Sequence, residues 1–317
     1  MKRSLFYEII LPLTALLAAA ALSLLCGKAK IDWHDFMHDP VFALRLVRLA
    51  AALTVGASLA LAGLVLQAVL HNVLADPFTL GISGGSGVGA ALAIVLDLQM
   101  ITFLALPAMA WAGALVMLLF VLLAAGRNRA ENLLLSGVIA GTAASGILMY
   151  IISIADKEDL ASITWWMLGD LQSVDAVILS FAGAAVLLLC GVYRCLAREL
   201  NAVAMGSEMA WSMGINFRKY TYFFVITASM LAAQTVALAG MIAFAGLIVP
   251  HLVRMCYGSD HNRIVIPTAL WGGVFLVLCD WLARIVHQVH ELPIGVLTAA
   301  VGGGLFIYIL NRRRGQL

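Results

Sequence analysis

Residues 220–256 read YTYFFVITASMLAAQTVALAGMIAFAGLIVPHLVRMC, and the fold turns on how many helices they make. A helix that crosses a bilayer takes about 20 residues. These 37 positions are too many for one crossing, and Gly240, Gly246 and Pro250 interrupt them. The stretch predicts one full helix followed by a short one. Outward from it lie eight more apolar runs, at about 5–26, 46–70, 79–96, 100–125, 133–155, 174–193, 264–283 and 292–310. Splitting 220–256 makes ten spans; leaving it whole makes nine.

Charge decides between the two, because basic loops stay on the cytoplasmic side. With ten spans both termini are cytoplasmic. The inner loops and ends then hold Lys2, Arg3, Arg127, Arg129, Arg194, Arg198, Arg218, Lys219, Arg254, Arg263 and Arg312 to Arg314, which are 13 of the 19 basic residues. The other six, Lys28, Lys30, Arg45, Arg48, Lys157 and Arg284, fall in outer loops with Asp32, Asp35, Asp39, Asp156, Glu158 and Asp159. Nine spans would put Arg312 to Arg314 outside, against the rule.

Composition agrees. Hydrophobic residues make up 63% of the 317 and charged residues 11%, against about 25% charged in soluble domains. With a mean hydropathy of +1.02, lipid is the natural solvent for most of the chain. Long unbroken runs select helices over the alternation of a barrel. The expectation is an all-α, polytopic membrane protein of about ten transmembrane helices with both termini cytoplasmic, one domain over 1–317. Lys2-Arg3 and the run to Cys26 read as a retained first helix rather than a cleaved signal, since Leu25, not a small residue, precedes Cys26. A net charge of +2 with no basic run interleaved with aromatics excludes a nucleic-acid partner.

Small residues are dense in the spans, as in Gly56-Ala57-Ser58 and from Gly137 to Gly146, and read as close helix packing. Ala60-Leu61-Ala62-Gly63 recurs as Ala237-Leu238-Ala239-Gly240, a faint hint of an inverted repeat. Five cysteines sit in or beside apolar runs without metal-ligand spacing, so neither a metal nor a cofactor is expected. His34, His38, His287 and His290 fall outside; imidazole ligates metals, but scattered loop histidines read as surface. His251 reads as a packing or hydrogen-bonding residue near the inner end of span eight.

A pump needs an energy source. No nucleotide-binding lysine accompanies the glycines of Gly81 to Gly89, which read as a broken, flexible helix start. Ion coupling places ionisable groups near the bilayer middle. Asp280 is the main ionisable residue in a span, and it reads as a local partner for Arg284, four residues on. The engine is therefore expected on another chain. Its docking surface is the cytoplasmic segment at about 195–219. There Gly206, Ser207, Glu208, Met209, Ala210, Trp211, Ser212, Met213 and Gly214 read as a short helix with Ser207 as N-cap and Gly214 as stop. An interfacial helix on lipid headgroups is the competing reading.

Spaced motifs carry a resemblance along nearly the whole chain. They are Arg45-Leu46-Val47-Arg48, Gly63-Leu64-Val65-Leu66-Gln67, Asn72-Val73-Leu74-Ala75-Asp76-Pro77, Leu80-Gly81-Ile82-Ser83-Gly84-Gly85, Ala204-Met205-Gly206, Phe244 to His251, Gly258-Ser259-Asp260-His261 and Glu291 to Ala299. In these the chain resembles the iron-chelate (siderophore or haem) and cobalamin permeases of bacterial ABC importers. The resemblance implies a transport subunit without its own ATPase site. Its implied partners are two ATP-binding cassette subunits, a periplasmic or lipid-anchored substrate-binding protein and a second permease copy, with lipid around them. It implies that Arg45, Arg48 and Arg284 dock carboxylates of the binding protein, and that Asn72, Leu74, Ala130 and Glu131 form the cytoplasmic gate. Where the family often has proline this chain has Val47, Val73, Met241 and Gly304, which restores a backbone donor at each. An ion-coupled secondary transporter and a membrane-embedded enzyme are the rival classes, and no convergent set of acids and bases supports the enzyme.

Overall fold

The structure is a computed structural model that describes residues 6–27, 39–126, 130–172, 174–286 and 291–314, with backbone alone at 6–7, 130–131 and 308–314. Lys2, Arg3, Lys28, Lys30, Asp32, His34, Asp35, His38, Arg127, Arg129, His287 and His290 lie outside the described residues, as do the side chains of Ala130 and Glu131. The described residues form thirteen α-helices and no strand: α1 (Leu11–Leu25, after a π-helical turn Phe6–Ile10), α2 (Pro40–Val69), α3 (Ile82–Val95, after a 3-10 turn Pro77–Leu80), α4 (Ala105–Ala124), α5 (Ala130–Ile154), α6 (Lys157–Met167), α7 (Ala176–Cys195), α8 (Ala197–Ala204), α9 (Ser207–Ser212), α10 (Phe217–Ala239), α11 (Ala245–Tyr257), α12 (His261–Val286) and α13 (Ile294–Arg314). Seven of these are long and apolar enough to cross a membrane. The shorter apolar helices Ile82–Val95, Ala245–Tyr257 and Ile294–Ile307 bring the number to the ten expected.

The decisive stretch divides at Gly240, whose φ of 69° ends α10; the backbone stays non-helical to Phe244 and α11 begins at Ala245. Glycine suits that positive φ because it has no Cβ to clash. Gly246 and Pro250 lie inside α11 and do not break it.

Helix α2 is the hub. Asp39 starts it by accepting a hydrogen bond from Val41 N at 2.7 Å, with Pro40 pre-set in the first turn. From Val55 to Val69 nearly every side chain is buried, and α10, α11, α12, α7 and α8 surround it. A helix apolar on all sides is buried in protein or in lipid, and α2 is buried in protein. By contrast α4, α5 and α7 leave Phe120 and Leu123, Met149 and Tyr150, and Phe181 and Leu187 exposed, a surface that hydrocarbon tolerates and water does not.

Glycines allow the helices around α2 to touch backbone to backbone. A Cβ on Gly56 would stand 2.3 Å from Gly272 O, and one on Gly63 would stand 1.8 Å from Gly246 O. Small residues thus serve packing within one chain, as expected. The stripe from Gly137 to Gly146 divides: Gly137 abuts Thr79 O, whereas Gly146 has open space beside it.

Five expectations change. The glycines of Gly81 to Gly89 do not break a helix: Gly81 takes φ 75° before α3, and Gly85 and Gly89 press against Gly113 and Met109 of α4. Arg45 and Arg48 are not in a loop, because the Asp39 cap begins α2 six residues before the apolar run. The acidic outer segment forms α6, with Glu158 and Asp159 in its first turn where the helix dipole favours them. Ser207 is the first helical residue of α9, and Gly206, with φ 101°, is the N-cap. The two Ala-Leu-Ala-Gly tetrapeptides play different parts, Gly63 lying mid-helix and Gly240 ending one.

Candidate functional site

Candidate residues gather at the two ends of α2, about 40 Å apart for the 26 positions from Arg45 to His71. At the end expected to face outward, Arg45, Arg48 and Arg284 share the wall of a cleft of about 420 Å³ with Gly27, Gln172 and Glu291. They are largely buried there. Arg48 Nε lies 2.6 Å from Asp280 Oδ1, and its Nη1 lies 2.6 Å from Glu291 Oε2. Arg284 Nε stands 3.1 Å from Asp280 Oδ2, and its Nη2 donates to Ser23 Oγ at 2.6 Å. Arg45 Nη1 donates to Leu24 O at 2.7 Å. Asp280, 1% exposed, therefore bridges α2 and α12 as well as pairing locally with Arg284. The planar guanidinium fork makes such shared pairing possible. Glu291 is the open side of the cluster, 39% exposed and also accepting from Gln172 Nε2 at 2.6 Å.

At the other end the chain turns twice between α7 and α10. Helix α8, which the sequence reading passed over, buries Ala197, Leu200 and Val203 on one face. That three-residue apolar spacing was the available signal. Gly206 ends α8 and starts α9. Gly214, with φ 70°, then stops α9 in a Schellman arrangement: Ile215 N bonds Ala210 O at 2.8 Å and Gly214 N bonds Trp211 O at 2.9 Å. Ala210 anchors the turn inward, while Met209 is half exposed and Trp211 is 83% exposed. Met205 and Met213 flank them on the same short stretch, both exposed.

A polar network that sequence reading did not assemble holds this turn against the bundle. Asn201 of α8 accepts from His261 N at 3.0 Å and donates to Asp260 Oδ1 at 2.8 Å, joining α8 to the start of α12. Burial opposes the charge on Asp260, but hydrogen bonds from Asn201 and Asn262 hold its carboxyl below the usual carboxylate range. Arg194 of α7 donates to Asn262 Oδ1 at 3.0 Å. Gln67 of α2 donates to Gly246 O at 3.2 Å and accepts from Arg254 of α11. Gln67, Asp260 and His261 all stood in recognised motifs, yet their partners are distant in sequence and no spacing reveals them.

Asn72 and Leu74 lie just beyond α2. Asn72 Oδ1 accepts from Leu74 N at 2.9 Å and Asn72 O from Ala75 N at 3.0 Å, a compact turn that leaves Val73 and Leu74 each 54% exposed. Ala130 and Glu131 open α5.

Comparison with known proteins follows the same lines. Residues 15–312 match the model of the FecCD transport family. The vitamin B12 import system permease protein BtuC of Yersinia enterocolitica is 38% identical over 278 residues, covering 86% of this chain and 82% of that one. The protein of the same name from Citrobacter koseri is 36% identical over 307 residues, covering 94% and 92%. A solved chain described as an inward-facing conformation of a metal-chelate type ABC transporter superposes with a TM-score of 0.87 at 29% identity, over 96% of this chain and 98% of that one. PsaBC from Streptococcus pneumoniae, at 17% identity and a TM-score of 0.59, shares the fold. Ten apolar helices among the described residues, the buried α2 one of them, with a family match from residue 15 to residue 312, make this multi-pass membrane protein a member of the FecCD transport family.

Proposed function

We propose that this chain is the permease subunit of an ABC importer that admits a metal chelate of the corrinoid class. Two ATP-binding cassette subunits dock on Met205 to Gly214, and a substrate-binding protein docks at the outer cleft. The observation that carries the reading is Trp211, 83% exposed on a helix too short to span and at the end where basic residues collect. Large exposed aromatics with a rigid backbone are the usual centres of protein interfaces. The identity to two vitamin B12 permeases supports the corrinoid class over siderophore or haem. At the outer cleft, three guanidiniums on one wall suit an acidic partner, whose carboxylate would compete with the half-exposed Glu291 for Arg48. A second copy of the chain completes the pathway.

The test is reconstitution. Permease, ATPase subunits and binding protein in vesicles should take up cyanocobalamin only with ATP inside the ATPase compartment. Uptake that proceeds without ATPase subunits and collapses with a proton uncoupler would replace the importer by an ion-coupled transporter. Capture of the loaded binding protein should weaken as salt rises, because rim charges act chiefly on association.

A further inference from the structure

His71 touches both the docking turn and the gate turn. Helix α2 closes at Leu70, and His71 then takes φ 51°, a left-handed conformation uncommon for a residue with a side chain. The conformation sends its ring away from α2. Nε2–H donates to Val203 O at 2.9 Å, and the ring stacks on Phe217 with centroids 6.5 Å apart and planes 15° apart. Val203 lies in the last turn of α8, where helical carbonyls lack partners within the helix. The same carbonyl accepts from Gly206 N at 3.1 Å, the bond that turns α8 into α9. His71 therefore holds the atom on which the turn to Met209 and Trp211 is built. On its other side Asn72 follows directly, and the Asn72 to Ala75 turn is closed on itself by two hydrogen bonds. A left-handed residue persists only while its surroundings hold it there. Asn72 N also bonds Gln67 O at 3.2 Å across this residue and caps α2, so the left-handed turn ties the end of α2, Val203 and the Asn72 to Ala75 turn together.

We propose that His71 is the positioning residue that carries displacement of α8 and α9 to the Asn72 to Leu74 turn; this rests on the docking reading above. The experiment uses the full complex with the ATPase subunits, a Leu74→Cys reporter, and the rate of maleimide labelling with and without ATP, corrected for labelling of the native cysteines. Three changes separate the causes. His71→Phe keeps the stacked ring without a donor. His71→Asn tolerates the left-handed backbone but is too short to reach Val203. His71→Gln restores a donor of similar reach. The nucleotide-dependent change in labelling should fall about fivefold or more in the Phe and Asn variants and return with Gln. An unchanged response in the Phe or Asn variant would overturn the proposal, as would a Gln variant as unresponsive as they are. A Phe variant that no longer bound the ATPase would make His71 part of the docking surface instead. If His71-containing complexes showed no nucleotide response at Leu74→Cys, the gate reading itself would fall and this proposal with it. Detachment by Trp211→Asp tests the docking reading separately.

Discussion

Gly63→Ala offers the sharpest test of how the bundle is held. The added methyl would lie 1.8 Å from Gly246 O, and real Cβ contacts essentially never fall below 3.0 Å. At least the difference, 1.2 Å, must come from separating α2 and α11. The obstacle is backbone on a helix that itself abuts Pro77, so no side-chain rotation relieves it. Over-packing of this kind costs about 3 kcal/mol. Gln67 bonds Gly246 O and Leu247 O at 3.2 and 3.3 Å across the same contact, and losing them adds about 1 kcal/mol. The better helix propensity of alanine returns about 1 kcal/mol. The expected net loss is therefore about 3 kcal/mol. Unfolding of the purified permease in detergent by denaturant titration would read it against Gly191→Ala, a mid-helix change with nothing within 4 Å, which should be neutral or stabilising. Equal behaviour of the two variants would refute the argument that close approach, rather than propensity, fixes these glycines.

Trp211→Asp should weaken ATPase binding by roughly 30-fold or more, as loss of an interface anchor does, while leaving the fold of the permease intact; pull-down with purified ATPase subunits measures it. Asp280→Ala should destabilise the chain by about 3 kcal/mol, because Arg48 and Arg284 lose a buried counter-ion, and adding Arg284→Met should recover part of that loss in the same unfolding assay. Burial pushes the Asp76 carboxyl up to about 6, so the folded state holds its proton where the unfolded chain has released it. Its contribution to stability should fall as pH rises from about 4 to about 6, and Asp76→Asn, which can still cap Phe78 N, should abolish that slope in melting curves.

Several features were open to reading along the chain. The run from Tyr220 to Cys256 divided near Gly240 because length and charge parity both required it, and the helix ends there. Gly214 announced the end of α9 because a left-handed residue after a helix is a local requirement. Arg45 and Arg48 were misplaced in a loop since hydropathy falls off at charged residues, whereas the helix follows the Asp39 cap. Arg284 was likewise placed among the outer loops, whereas it lies inside α12, and its burial against Ser23 was not foreseen because those residues lie 261 positions apart. His71, a lone histidine at the end of an apolar run, carried no mark of its bond to Val203.

By itself the sequence determined the number of apolar helices, the placement of the 206–214 turn outside the long apolar runs and the family motifs, since each depends on the solvent or the neighbours of a residue along one segment. Only the tertiary structure decided that Arg48 and Arg284 share Asp280, with Glu291 on Arg48, that Gly63 meets Gly246, and that His71 joins α8 to the Asn72 to Ala75 turn. These depend on which helix faces packing brings together across 132 to 243 positions of chain, a geometry that hydropathy and charge order do not encode.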